Sequence, residues 1–197
     1  MRATTLGWYV AIIAAGLGIV ATVVTPAAGR TEGPFTAQIV DAVTGQPLAG
    51  VVVVALYQRR TPGLVHPQVE FYDLDETVSD GQGRIAIPAR QLPASTPLSH
   101  VTGPEMILFK SGYKTWRFRG VETGQHVDSA VLARQHKEGW QRFRTDGVVI
   151  EMEPAKTPDD RSLALGRAFR FPPIPDGRAS LLRQALDDEL VTLSRKR

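Results

Sequence analysis

FTAQIVDAVTGQPLAGVVVVALYQRR, residues 35–60, decides how the rest of the chain is read. Phe35, Ala37 and Ile39 alternate with Thr36 and Gln38, the period-2 pattern of a half-buried strand. DAVTGQP, residues 41–47, supplies turn chemistry: Gly45 accepts a positive φ, and Pro47 fixes its own φ and lacks an N–H. The run VVVVALY that begins at Val51 is rich in β-branched residues, which suit a pleated and largely buried surface. The stretch predicts a hairpin of two strands around a tight turn.

Further strands are predicted on both sides of the turn signal SDGQG, residues 79–83. DLDETVS (73–79) precedes it, and RIAI follows it with Ile85 and Ile87 on one face. Residues 59–68 and 89–104, both Pro-bearing, read as loops. EMILFK (105–110) reads as a buried strand. After the turn SGY, Trp116 and Phe118 alternate with Thr115, Arg117 and Arg119. Residues 146–153 alternate again, with Val148, Ile150 and Met152 inward and Val149, Glu151 and Glu153 outward. About seven short strands with turn signals between them predict a mainly β, antiparallel sandwich.

The composition is that of a globular chain. Of 197 residues, 43% are hydrophobic and 22% charged, which argues against disorder. The net charge is only +3 and the basic residues are scattered, so no nucleic-acid partner is expected. The chain has no cysteine, which excludes disulfides, thiolate metal sites and a cysteine nucleophile. It has no asparagine either, so N-glycosylation and a Lys–Asn isopeptide cross-link are excluded.

Residues 6–24, LGWYVAIIAAGLGIVATVV, form an uncharged apolar run after a positive start at Arg2. It is long enough to span a bilayer as a helix. Two readings stand: a retained anchor with Trp8 and Tyr9 at the interface, or a signal peptide cut after Ala27 or Ala28. Both send the remainder outward, to a periplasmic or other extracytoplasmic location, and arginine outnumbering lysine fits a bacterial envelope protein. The domain division that follows is an N-terminal segment 1–28, a linker 29–34, the sandwich 35–153 and a helical extension 154–197.

In that extension Thr157 is an N-cap ahead of Pro158, with Asp159 and Asp160 facing the positive end of the helix dipole. A second helix is expected with Asp176 as its cap and Leu182, Leu186, Leu190 and Leu193 along one stripe. Residues 124–144 break the strand rhythm and read as an insertion with a short helix; Val127, Val131 and Arg134 share its face.

Three motifs, in order, resemble the carboxypeptidase regulatory-like family. They are Asp41, Thr44, Gly45, Pro47 and Gly50; then Asp80, Gly83, Arg84 and Ile85; then Gly112 and Tyr113. The resemblance covers roughly residues 35–153 and departs from the family at 59–68 and 124–144. It implies a transthyretin-like β-sandwich acting as a structural or binding module, since the family's domain accompanies metallocarboxypeptidases without being catalytic. No functional residue is carried over from it.

The sequence displays none of the common catalytic constellations. His66 and Glu70 match no zinc motif, and His126 and Asp128 are at most two ligands on one strand face. G-x-S-x-G is missing, and Ser99 and His100 are chain neighbours that point to opposite faces of a strand. Gly81-Gln-Gly83 has no following helix to cradle phosphate. The acidic pairs Asp73/Asp75 and Glu151/Glu153 read as solvated strand faces. The expectation is therefore a non-catalytic module with no cofactor and no metal. It would bind an unidentified envelope protein through Trp140, Arg142, Phe143 and Arg144 of the insertion and through Leu182, Leu186 and Leu190; the other reading has Trp140 covering an open edge of the sandwich and the leucine stripe docked on its own domain. A membrane contact through residues 6–24, if they are not cleaved, and a carbohydrate or peptidoglycan partner are the further candidates.

Overall fold

A computed structural model describes residues 29–64, 66–119, 137–143, 147–169 and 172–195. It is a mainly β sandwich with a helical layer on one side. Nine strands appear among the described residues: β1 (Arg30–Glu32), β2 (Phe35–Asp41), β3 (Val52–Thr61), β4 (Gln68–Val78), β5 (Arg84–Ile87), β6 (Arg90–Leu92), β7 (His100–Phe109), β8 (Trp116–Phe118) and β9 (Val148–Met152). Residues 137–143 are helical and are called α1; α2 (Pro158–Ala168) and α3 (Ser180–Ser194) follow. One sheet runs β5-β2-β9 and the other β4-β3-β7-β8, while β1 and β6 pair separately.

β3 sits at the centre. Its Val53, Ala55 and Tyr57 enter the core between the sheets, together with Phe35, Ile39, Ile85, Ile87, Met106, Leu108, Ile150 and Met152. Its Val52, Val54 and Leu56 point the other way, into a second core with Ile107, Phe109, Leu165, Ala168, Leu182 and Leu186. The unbroken apolar run of the sequence is thus a strand buried on both faces.

Several expectations are corrected. β2 and β3 are not a hairpin: each pairs within a different sheet, and residues 42–51 cross between them. The turn at Asp41 starts the crossing, Leu48 N–H donates to the Ile39 carbonyl at 2.9 Å, and the buried Ser79 hydroxyl donates to the Leu48 carbonyl at 2.7 Å. The sandwich is not wholly antiparallel either, because β9 lies parallel to β2. The expected linker contains β1, and the expected loop at 89–104 contains β6 and the first half of β7. Short strands with mixed exposure such as RTE and RQL carry no periodic signal. The strand expected to start at 73 starts at Gln68.

The three sequence motifs meet. Asp41 Oδ1 accepts from the N–H groups of Val43 and Thr44, each at 2.8 Å. Its Oδ2 accepts from the Tyr113 hydroxyl at 2.8 Å. Asp80 does the same for the second turn, taking the N–H groups of Gln82 at 2.9 Å and Arg84 at 2.8 Å. Gly83 has φ 70°, and a Cβ there would sit 2.3 Å from the Ile39 carbonyl oxygen, so that turn admits only glycine.

α2 starts as expected: Thr157 Oγ1 accepts from Asp160 N–H at 3.0 Å and the Asp160 carboxylate accepts from Thr157 N–H at 3.2 Å, a complete capping box. α3 does not. Asp176 is not its cap; the N-cap is Ala179, at φ 55° and with no side chain to offer. The free N–H groups of Leu181 and Leu182 donate instead to the Glu76 carboxylate of β4, at 3.2 and 3.0 Å. A strand therefore caps a helix that lies more than a hundred residues further along. α2 and α3 are joined by Arg161, whose Nε and Nη2 donate to the buried Glu189 at 2.6 and 2.5 Å; Ser111 Oγ donates to the same carboxylate at 2.5 Å.

Two stability predictions follow from these contacts. Glu76→Ala should cost about 0.5–2 kcal/mol, the range for losing an N-cap, as read by urea denaturation; an unchanged midpoint would remove Glu76 from that role. The donors from Thr44, Tyr113 and Val43 hold the Asp41 carboxyl below its ordinary value of 3.8. A depressed carboxylate contributes stability above its unfolded pKa and loses it as pH falls through the folded one. Tyr113→Phe should therefore lower the melting temperature at neutral pH, and its gap to the parent should narrow below about pH 4. A gap that stays constant down to acid pH would contradict the linkage.

Candidate interaction surfaces

The side chains expected to bind a partner divide. Trp140 and Phe143, on α1, are buried at 3% and 4% exposure and close the core between the sheets. Trp140 lies 5.2 Å from Phe35 and 4.9 Å from Phe118, ring centre to ring centre, and Phe143 lies 5.5 Å from Phe118. These tilted and edge-on pairs are core packing. Arg142 between them is exposed, and Arg144 lies outside the described residues. Leu182 and Leu186 are also buried, at 0% and 1%, against the outer face of the four-stranded sheet, whereas Leu190 is 44% exposed. Trp140, Phe143, Leu182 and Leu186 are thus unavailable to a partner. The composition of a binding hot spot and of a core is the same, and only tertiary packing separates them.

These assignments set contrasting expectations for truncation. Trp140→Ala and Leu182→Ala should each destabilise the fold by about 2–5 kcal/mol, while Leu190→Ala should stay within about 0.5 kcal/mol. Equal losses at Leu182 and Leu190 in chemical denaturation would contradict the packing described.

Among the described residues the two sheets differ in what covers them. α2 and α3 cover the outer face of β4-β3-β7-β8. On the outer face of β5-β2-β9, Thr36, Arg84, Ala86 and Val149 are exposed and Gln38 is half-buried. Ladder register arranges this face in rows. Arg84, Gln38 and Val149 stand side by side, and Ala86 stands beside Thr36. Gly147 continues the second row: a Cβ there would lie 3.8 Å from Thr36 Oγ1. A row of small residues next to a row of long ones leaves an open groove of about 490 Å³, with Asp80 at its end. The signal for it was present in the sequence as the outward half of the alternation in β2 and β9.

Among the described residues no group of three His, Cys, Asp or Glu side chains could hold a metal ion; His126 and Asp128 lie outside them. Burial pushes the Tyr57 hydroxyl up to about 12, so it is neutral at ordinary pH and a poor base or nucleophile. The acidic pair Asp73/Asp75 is not simply solvated. Arg90 Nε donates to Asp75 Oδ2 at 2.9 Å, and Asp73 pairs with both Arg90 and Arg178. Glu105, 5% exposed, accepts from Arg117 Nε at 2.8 Å and pairs with Arg119 at 2.9 Å. Arg117 Nη1 also donates to the Arg167 carbonyl at the end of α2. Such networks bind the helical layer to the sheet.

Among the described residues no helix is long and apolar enough to cross a membrane, and residues 6–24 lie outside them. Comparison with protein-family models, with curated proteins and with solved structures returns no match.

Proposed function

We propose that the chain is a non-catalytic β-sandwich module of the cell envelope, held at or beyond the membrane by residues 6–24, which binds another protein through the outer face of its β5-β2-β9 sheet. The observation that carries this reading is the unequal covering of the two sheets. The face opposite the helices keeps a groove with a floor of small side chains, Ala86, Thr36 and Gly147, flanked by Arg84, Gln38 and Val149. A pleated floor without bulky side chains suits an extended peptide segment or a loop of a partner, with Arg84 and Gln38 to fix its orientation. The apolar segment at 6–24 supports the location. The resemblance to carboxypeptidase regulatory-like domains supports a binding rather than a catalytic role.

A glycan partner is the less favoured alternative. Sugar binding on a sandwich calls for exposed aromatic rings, and here Trp116, Phe118, Trp140 and Phe143 pack on one another.

Affinity capture from cross-linked native envelopes tests the proposal. The full chain should recover a specific protein that Thr36→Tyr and Ala86→Tyr both lose, because each fills the groove from an outward-facing position. Leu163→Ser, on the exposed side of α2, should retain it. Recovery unaffected by either tyrosine would move the interface elsewhere. An empty capture with retention on purified cell-wall glycan would favour the sugar reading.

A further inference from the structure

One end of the sandwich differs chemically from the other. β3 ends at Thr61 beside the start of β4 and the start of β7, with Thr61 opposite Gln68 and Arg60 opposite His100. Residues 62–64 and 66–67 and the loop 93–99 therefore project from the same end. Their tips carry Leu64, 108% exposed, and Leu98, 78% exposed. Neither loop packs these leucines against the core. Arg59, Arg60, His66 and His100 are exposed around them. Residues 58–69 and 93–104 contain no carboxylate; the first acid, Glu70, stands opposite Arg59 in the ladder.

The described residues also begin at this end, with Gly29. Arg30 of β1 pairs with Leu92, and a Cβ on Gly29 would lie 2.5 Å from the Leu92 carbonyl oxygen. Arg30 Nη2 donates to the Val101 carbonyl at 2.5 Å. Only residues 25–28 separate Gly29 from the apolar run 6–24, and four residues reach at most roughly 14 Å.

We propose that this end is a membrane-contacting face. Leu64 and Leu98 insert into the interfacial region of the bilayer in which residues 6–24 are anchored, and Arg59 and Arg60 lie against anionic headgroups. The proposal rests on the retained-anchor reading of residues 6–24. Tethering confines the face carrying Gly29 to the membrane surface, so even a weak insertion becomes effectively intramolecular. Two exposed leucines framed by cations match what an anionic lipid surface selects, with Glu70 opposite Arg59 and Glu32 paired to Arg30 as the acids of this end. The face also fixes orientation: the strands of β3 and β7 stand up from the membrane, and the β5-β2-β9 groove looks sideways.

The cysteine-free chain allows a direct test. Leu64→Cys, Leu98→Cys and Val43→Cys are made singly in the full chain, spin-labelled, and reconstituted in phosphatidylcholine vesicles with and without phosphatidylglycerol. Val43, 70% exposed in the turn after β2, reports the opposite end. Labels at 64 and 98 should show a several-fold higher ratio of oxygen to water-soluble nickel collisions than the label at 43. Arg59→Glu with Arg60→Glu should reduce that ratio in the anionic vesicles. Equal ratios at all three positions would overturn the proposal while leaving the anchor intact. Low access to both reagents at 64 and 98 would mean burial against protein and would overturn it too. Mass spectrometry of the native mature chain separates the premise: a chain starting after Ala27 or Ala28 removes the anchor, and the membrane face with it.

Discussion

A strand buried on both faces obliges a chain to build a layer on each side of it. β3 imposes this constraint here. Val53, Ala55 and Tyr57 need the β5-β2-β9 sheet, while Val52, Val54 and Leu56 need α2 and α3. Every fully buried side chain of this kind contributes about 1.5–3 kcal/mol when taken out of water, so neither layer is dispensable. The remaining architecture serves these two requirements. The crossover 42–51 frees β2 to enter the opposite sheet, the Ser79 hydroxyl holds that crossover to the end of β4, and Glu76 and Glu189 fasten the helices from the sheet side and between themselves.

What the sequence showed was set by the range of each interaction. Local rules succeeded where the partners are local: the capping box of α2, the Asp80 turn, and the alternation in β2, β8 and β9. They failed where a distant group completes the local structure. Asp176 has the right chemistry to cap α3, but the left-handed residue Ala179 brings the helix start to Glu76 instead. DAVTGQP has the residues of a hairpin turn, yet turn chemistry reverses a chain without deciding which strands pair afterwards. Three-residue strands such as β1 and β6 are held by one another and carry no period of their own.

The surfaces were legible in a different way. Trp140 and Phe143 have the composition of an interface, and the same large apolar area makes them good closures for an open sandwich. The groove of the β5-β2-β9 face was written in the small outward residues Thr36, Ala86 and Gly147, but they lie on three separate strands, and only ladder register brings them into a row. The leucines at positions 64 and 98 are likewise ordinary loop residues until strand pairing sets their loops at one end.

The helical layer also governs how this protein can be made. The residues that cover Val52, Val54 and Leu56 are Leu165, Ala168, Leu182 and Leu186, and they follow every strand of the sheet in the chain. Until they arrive, the nascent domain presents a β-branched strip with nothing over it. A truncated product, or one held back in transit, displays that strip to its neighbours. Arrival of α2 and α3 on the sheet is then the step that takes this strip out of reach of other chains.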